Sequence, residues 1–423
     1  MDAWSTFIHT LTLDSEAPSL FSSVNRVVVL ADNVFTRTAE KFPLDRIDPR
    51  LLRIAALDLD KLGRIAVCDL QRIADTLAAR LRDEGFLAAA KSIVAEAAAL
   101  REEPGAPDSS PPRGASKGET SIWEGSVFSF PRDGHWASHI TAWADHLRER
   151  GAGLLGLYPS FIWDSSRKVG TLRPVKNPDP ISLDDLSGYE EQRSIVMANT
   201  QRFAEGKPAN NLLLYGDRGT GKSATVKAVC AHFADAALRL VEVRKKDLLH
   251  FERIADTLAE RALRFVLFID DLSFEQTDDT FTGLKALLEG GAEKRPDNVV
   301  IYGTSNRRHL VKERFADRPT TAMAADAIAT GDVRAFDTMQ EQLSLADRFG
   351  VTVVFSSPNQ DEYLAIAEAI AERRGILSPG GTGERQEFRE NALRWERWFN
   401  GRSPRSAQQY VDWIAGGEGF PWE

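Results

Sequence analysis

The stretch that decides the fold is LLLYGDRGTGKS, residues 212–223. A short apolar run typical of a buried strand leads into the pattern G-x-x-x-x-G-K-[ST], and a helix-forming stretch follows over residues 223–233. A glycine-rich turn between a strand and a helix lets backbone N–H groups surround a phosphate chain. The positive end of the helix favours the same negative charge. The stretch therefore predicts a phosphate-binding P-loop rather than a plain tight turn.

The predicted P-loop combines a backbone cradle with two side chains that carry chemistry. Lys222 is placed to reach the β- and γ-phosphates, and Ser223 offers a hydroxyl ligand to Mg²⁺. The other residues expected to surround the nucleotide are Gly216, Asp217, Arg218, Gly219, Thr220, Gly221 and Ala224.

A second motif, FVLFIDD at residues 265–271, ends an apolar run with two carboxylates. Ligands bind at the carboxyl ends of strands in parallel sheets, so these carboxylates are expected beside the P-loop. Asp270 fits the aspartate that holds Mg²⁺, since a hard cation prefers oxygen ligands. Asp271 stands where a glutamate often positions the attacking water. Because aspartate is one methylene shorter than glutamate, Glu275 is an alternative for this role.

Strand-like and helix-like segments alternate from residue 172 onward, which predicts a parallel sheet with helices on both faces. The helix-like segments include residues 223–233 and 281–288, and the region from residue 360 to 415 is helical throughout. The expected strands are residues 212–215, 238–243, 265–269, 299–304 and 351–355.

With these motifs in this order, the chain from residue 172 onward resembles the AAA+ ATPases. Residues 299–306, VVIYGTSN, resemble the sensor-1 strand, which implies that Asn306 hydrogen-bonds the γ-phosphate or the attacking water. Arg348, within Asp347-Arg348-Phe349, resembles the arginine finger. The strings GDRGTGKS, DDLSFE and TSNRRHL are similar to those of a bacterial AAA+ family known only as ATP-binding proteins of unknown function.

Two further segments extend the resemblance. Residues 401–405, GRSPR, resemble sensor 2, with Arg405 the better candidate and Arg402 the alternative. Residues 181–192 resemble the segment that covers adenine before the first helix. The catalytic residues that the resemblance implies are therefore Lys222, Asp271, Asn306, Arg348 and Arg405.

The expected fold class is α/β, a P-loop AAA+ domain with a five-stranded parallel sheet over residues 172–358 and a helical lid over residues 359–423. A mainly helical N-terminal domain is expected over residues 1–102, because apolar residues recur there at helical spacing. Proline, glycine and serine predict a flexible linker at residues 103–120, and clustered aromatics predict a packed connecting segment at residues 121–171.

Composition narrows the setting of the protein. The 423 residues carry a formal charge of −9, which argues mildly against a broad nucleic-acid footprint, although Arg244-Lys245-Lys246 could form a local basic patch. Two cysteines are too few for a disulfide framework and favour a reducing compartment. The start lacks a basic targeting region, and the longest apolar runs are too short for a membrane helix, so we expect a cytoplasmic protein.

The resemblance implies an ATPase that uses Mg²⁺ and ATP to remodel a macromolecular partner. An arginine finger usually serves the neighbouring subunit, which implies a homo-oligomeric ring or spiral. A slow ATP-dependent switch or adaptor is the alternative, because Asp271 replaces the usual glutamate. A P-loop kinase is less attractive, since the sensor and finger positions would then be coincidences. The residues do not identify the partner.

Overall fold

The computed structural model describes residues 20–68, 128–166, 170–272, 296–306, 348–377, 382–399, 401–417 and 420, with isolated positions between 72 and 79. Its contacts divide the chain into two compact units, Met1–Tyr158 and Pro159–Glu423. Several predicted features lie outside the described residues: the linker at 103–120, Glu275, the helix-like stretch 281–288 and Asp347.

The described part of the first unit is helical. Its helices are α1 (Leu20–Val29), α2 (Val34–Lys41), α3 (Pro49–Ala66), α4 (Ile140–Arg150) and α5 (Leu154–Leu157). Helix α3 begins where Asp48 caps the backbone N–H of Arg50 and Pro49 occupies the first helical position, a combination that favours a helix start.

Aromatic side chains build the core of this unit. Phe130 stacks on Trp136 with ring centroids 4.6 Å apart, and Trp143 lies 5.5 Å from Phe130 at a steep angle. All three rings are buried together with Phe35 of α2. The aromatic residues at 128–143 therefore pack with the N-terminal helices.

The second unit is built on a sheet that contains β1 (Ser160–Asp164), β2 (Thr171–Pro174), β3 (Leu212–Gly216), β4 (Leu238–Glu242), β5 (Arg264–Ile269), β6 (Val299–Ser305) and β7 (Val351–Phe355). The described strands lie in the order β2-β1-β4-β5-β6-β3-β7. Only the β1–β2 pair among them is antiparallel.

The predicted α/β class with a parallel sheet is confirmed, and β3 to β7 lie within one residue of the five predicted strands. The sheet is two strands wider than predicted, because β1 and β2 extend it beyond β4. Strand β1 alternates half-buried residues with the buried Phe161 and Trp163. A two-residue alternation indicates a strand, whereas the high aromatic content of the segment indicates only that it packs.

The compact units also divide the predicted connecting segment, residues 121–171. Residues 128–157 contribute to the first unit, whereas β1 and the start of β2 belong to the second. The physical reason is that Phe161 and Trp163 are buried as strand residues of the sheet, while Trp136 and Trp143 are buried against helices.

Helices α6 (Glu190–Ala204), α7 (Lys222–His232) and α8 (Phe251–Ala259) connect or flank the strands of the sheet. Strands β3, β5 and β6 are buried almost throughout, as expected for parallel strands that are covered on both faces. Strand β3 pairs in parallel with both β6 and β7, so the loops after these three strands emerge at one edge of the sheet.

The C-terminal part is helical, as predicted, and contains α9 (Gln360–Arg373), α10 (Thr382–Trp398) and α11 (Pro404–Ala415). Asn359 and Glu362 form a reciprocal capping box at the start of α9. The three helices share a core that includes the buried Tyr363 and Tyr410, and the Tyr410 hydroxyl donates to Phe388 O at 2.7 Å. Within the described residues, every helix is too short or too polar to cross a bilayer.

Gly216, at the end of β3, provides a test of the sheet. A Cβ at this position would lie 1.9 Å from Phe355 O in the adjacent β7, and the Gly216 φ of 147° is rarely adopted by other residues. We expect Gly216→Ala to lower the free energy of unfolding by about 3–5 kcal/mol, since the clash adds to the backbone strain.

The matched control is Gly375→Ala. Gly375 also has a positive φ, 69°, but nothing lies within 4 Å of its added Cβ. In this variant the free energy of unfolding should fall only by the cost of a left-handed backbone at alanine, about 1–2 kcal/mol. Urea denaturation followed by circular dichroism measures both. Equal losses would show that the close approach to β7 is not limiting.

Candidate functional site

The loop after β3 has the shape of a phosphate cradle. The chain leaves the sheet at Gly216, and α7 begins at Lys222 after Gly221, whose φ of 86° permits the tight entry into the helix. The Thr220 hydroxyl donates to Asp217 O at 2.8 Å, which closes the loop on itself. The N-terminal N–H groups of α7 therefore face the cavity enclosed by the loop.

Lys222 is the buried cation of this loop. Its side chain is 5% exposed, and Nζ donates to Gly216 O at 3.0 Å and to Asp217 O at 2.6 Å. Burial lowers the pKa of the ammonium to about 8, although the carboxylates of Asp217, Asp270 and Asp271 act in the opposite direction. The loop thus holds a cation whose hydration has been removed, which suits it to pair with an anion.

The Asp270 carboxylate lies directly opposite the start of α7. Its Oδ1 accepts from the Ser223 hydroxyl at 2.6 Å, from the Thr304 hydroxyl at 2.6 Å and from the Asp271 backbone N–H at 3.1 Å. One oxygen therefore joins the residues that follow β3, β5 and the end of β6. Asp270 also lines the cavity.

Asp271 and Asn306 form a second polar pair at this edge. Asn306 Nδ2 donates to Asp271 Oδ1 at 2.7 Å, and Asp271 has a φ of 52°, which is uncommon for a residue other than glycine. The Asp271 N–H also donates to the Thr304 hydroxyl at 2.9 Å. The strained backbone conformation is held by contacts from β6 on two sides.

Arg405 reaches the same cavity from the helical C-terminal part. The Ser403 side chain caps α11 through the Ser406 N–H, and Pro404 occupies the first helical position. The Arg405 backbone N–H donates to Gly219 O in the P-loop at 3.2 Å. The first turn of α11 therefore contacts the loop directly.

The structure separates the alternatives at residues 402 and 405. Arg402 Nε lies 2.9 Å from Glu396 Oε1, so its guanidinium is engaged with α10, whereas Arg405 lines the cavity. Arg348, next to the buried Phe349, is not among the described residues that line the cavity.

The remaining P-loop residues take different positions. The Asp217 carboxylate accepts from the Ser357 backbone N–H at 3.0 Å and from the Ser357 hydroxyl at 2.7 Å. The side chain of Asp217 thus ties the loop to the turn after β7. Arg218 is exposed at the rim of the cavity, and Ala224 lines its floor in the first turn of α7.

The segment expected to cover a base borders the other end of the cavity, which has a volume of about 1230 Å³. Tyr189, within this segment, adopts a left-handed conformation just before α6. Its hydroxyl donates to Ser356 O at 2.6 Å, and its ring lies 5.2 Å from that of Phe355. Leu186, Ile366 and Ile370 give this end an apolar lining.

Of the predicted site residues, the structure brings together the P-loop, Asp270, Asp271, Asn306 and Arg405 around one cavity. Sequence reasoning did not assign roles to Thr304 or Arg373, which also line it. The signal for Thr304 is its place at the end of β6, beside the carboxyl ends of β3 and β5. No local pattern marks Arg373, because its contacts are distant in sequence.

Comparison with known proteins supplies the family context. Residues 157–418 match the family described as Protein of unknown function (DUF815). The UDP-N-acetylmuramate–L-alanine ligase of Pediococcus pentosaceus is 23% identical over 220 residues, which cover 51% of this chain and 44% of the ligase. The chain therefore spans less than half the length of this curated relative.

Similar solved structures include a mutant of Thermotoga maritima RuvB, with 16% identity and a TM-score of 0.34 over 56% of this chain and 65% of RuvB. The Aeropyrum pernix ORC1 protein, solved in complex with DNA, has 15% identity and a TM-score of 0.38 over 57% of this chain and 64% of its own. The chain thus spans less than two thirds of each of these proteins.

The Thr304 hydroxyl is the basis of a prediction, since it donates to Asp270 and accepts from the Asp271 N–H. We expect Thr304→Val to lower the free energy of unfolding by about 2–3 kcal/mol, because a hydrogen bond to a charged group is lost. Thr304→Ser keeps the hydroxyl and removes one methyl group, so its free energy of unfolding should fall by only about 1 kcal/mol. Urea denaturation distinguishes them. A valine variant as stable as the serine variant would contradict this role.

Proposed function

We propose that this chain, which belongs to the family described as Protein of unknown function (DUF815), binds ATP with Mg²⁺ in the cavity at the P-loop and hydrolyses it. The family match covers the whole sheet and the three described C-terminal helices. The resemblance of its motifs to those of the AAA+ ATPases supports the proposal. The activity, the roles of the residues and the partner are parts of the proposal.

The observation that carries the proposal is that three residues line one cavity and bring to it a buried ammonium (Lys222), a hydroxyl (Ser223) and a carboxylate (Asp270). The hydroxyl and carboxylate oxygens are 2.6 Å apart, and Lys222 starts the same helix turn. A triphosphate needs a cation, backbone N–H donors and an oxygen site for a metal ion, and these residues offer all three.

The donor set fits Mg²⁺. Within the described residues, no cluster of histidine, cysteine or carboxylate side chains is sufficient to hold a metal ion by itself. Mg²⁺ is commonly held by one or two protein oxygens together with phosphate oxygens and water. Ser223 and Asp270 would provide the protein oxygens. When bound, Mg²⁺ would neutralise the charge that develops on the phosphates.

For hydrolysis, Asp271 is proposed to orient the attacking water and accept its proton. Asn306 holds one Asp271 oxygen at 2.7 Å, so the other oxygen is oriented by the same contact. Arg405 would stabilise negative charge on the transferred phosphoryl group from the lid side. Its backbone contact with Gly219 places it beside the loop.

A second candidate function, a slow ATP-dependent switch, is favoured by the constraint on Asp271. The residue is short, adopts a left-handed backbone and is engaged by Asn306, all of which restrict its reach. Steady-state turnover separates the two functions. Turnover well above one per minute supports a motor, whereas tight ATP binding with little turnover supports the switch.

The proposed setting is a cytoplasmic homo-oligomer that acts on a macromolecular partner. Arg348 is not among the described residues lining the cavity of its own chain, which supports a role at the site of a neighbouring subunit. Both cysteines are free thiols, in keeping with a reducing compartment. Closure of the lid on ATP would transmit the binding energy to the partner.

The test of nucleotide binding is calorimetry with Mg-ATP. We expect Lys222→Ala to weaken ATP binding by about a hundredfold, because the phosphates lose their buried cation. The control is Lys227→Ala on the same helix, whose Nζ lies 3.9 Å from Glu242 Oε2 and which does not line the cavity. It should bind as the unmodified protein does. Absence of heat in folded, unmodified protein would overturn the proposal.

The role of Arg348 is tested by mixing subunits. Arg348→Ala alone should retain ATP binding but lose about a thousandfold in kcat, the usual effect of removing an arginine finger. Mixed with Lys222→Ala subunits, which keep Arg348 but lack the phosphate cation, the assembly should regain activity. If no mixing ratio restores hydrolysis, Arg348 does not act across an interface.

A further inference from the structure

Arg373, the last residue of α9, contacts the segment expected to cover the base. Its Nη1 donates to the Ser187 hydroxyl at 2.7 Å, and its Nη2 donates to Asp185 O at 2.9 Å. A planar guanidinium can make these two parallel donations at once, which a lysine ammonium cannot match in geometry. The two bonds join residues more than 180 positions apart in the chain.

We propose that Arg373 is a positioning residue that holds residues 185–188 against α9 and thereby sets the affinity of the site for the nucleoside part of ATP. The inference rests on the proposed nucleotide-binding function. It concerns the apolar end of the cavity and not the phosphate end, where Lys222 and Asp270 lie.

A second contact from α9 supports the same arrangement. Ile366, two helical turns before Arg373, approaches Gly188 so closely that a Cβ there would lie 2.9 Å from Ile366 Cδ1. Residues seven positions apart share a helix face, so Ile366 and Arg373 present one surface to the segment. Gly188 also has a φ of 77°, which fixes the turn that brings the chain to this surface.

A second arginine also holds the segment. Arg193 of α6 donates from Nη1 to Leu186 O at 2.6 Å and lies 3.0 Å from Glu190 Oε1. Residues 185–187 are therefore held by hydrogen bonds from both α6 and α9. Loss of Arg373 would remove the hydrogen bonds from α9 and leave only the packing of Ile366 against Gly188, so a nucleoside would meet a wall that is less firmly fixed.

The adjacent Arg374 provides a matched control. It has the same charge at the same helix end and also lines the cavity, but its guanidinium pairs with Asp412 of α11 and not with residues 185–188. A general electrostatic attraction for phosphate would be weakened by removal of either arginine. A positioning role would be lost only with Arg373.

The experiment measures the Kd of the full chain for Mg-ATP and for inorganic tripolyphosphate, which lacks the nucleoside. We expect Arg373→Ala to weaken ATP binding by about five- to tenfold, the loss of modest hydrogen bonds at an exposed side chain, and to leave tripolyphosphate binding unchanged. Arg373→Lys should not restore ATP affinity. Arg374→Ala should stay within about twofold of the unmodified protein for both ligands.

Ser187→Ala removes one of the two hydrogen bonds and should weaken ATP binding less than Arg373→Ala does. The double variant of Ser187→Ala and Arg373→Ala should bind ATP no more weakly than Arg373→Ala alone. Equal losses for ATP and tripolyphosphate, or full rescue by lysine, would overturn the inference. The inference would also be overturned if the unmodified protein bound ATP and the Arg373→Ala variant bound it with the same Kd. If the unmodified protein binds neither ligand, the proposed function itself fails.

Discussion

The Asp270 carboxylate is the point at which separate parts of the sheet become one site. A single oxygen accepts hydrogen bonds from Ser223, Thr304 and the Asp271 N–H. These donors follow or end three different strands, so their meeting requires that β3, β5 and β6 keep their register. Parallel strands supply that register, because the pairs β3–β6 and β5–β6 place their carboxyl ends at one edge.

The C-terminal helices are tied to the same edge by contacts to the two residues that follow β7. The Asp217 carboxylate accepts two hydrogen bonds from Ser357, and the Tyr189 hydroxyl donates to Ser356 O. These two serines lead from β7 into α9, so the chain entering the C-terminal helices is held both by the loop after β3 and by Tyr189. A movement of either would therefore change the starting position of α9, which gives a physical route from the cavity to these helices.

Local patterns predicted the elements whose signals lie in consecutive residues. Strands β3 to β7 could be predicted because buried parallel strands are continuous apolar runs, and the loop between β3 and α7 because its glycine spacing lies in consecutive residues. Long-range contacts could not be read in this way: Arg373 finds Ser187 only through the packing of α9, and Thr304 finds Asp270 only through strand pairing. Strand β1, which lies between β2 and β4, alternates buried and half-buried residues, but its tryptophan and phenylalanine also suit a helical core, as in the first unit.

The case of Arg402 and Arg405 shows how a cap resolves what spacing leaves open. Ser403 fixes the first residue of α11, so Arg402 lies before the helix and turns to Glu396, while Arg405 lies in the first turn. N–H groups in the first turn have no partner within their own helix, and the one on Arg405 donates to Gly219 O. The contact joins a helix end that favours negative charge to the loop expected to hold phosphate. The same capping serine thus determines both which arginine faces the cavity and how the lid meets the loop.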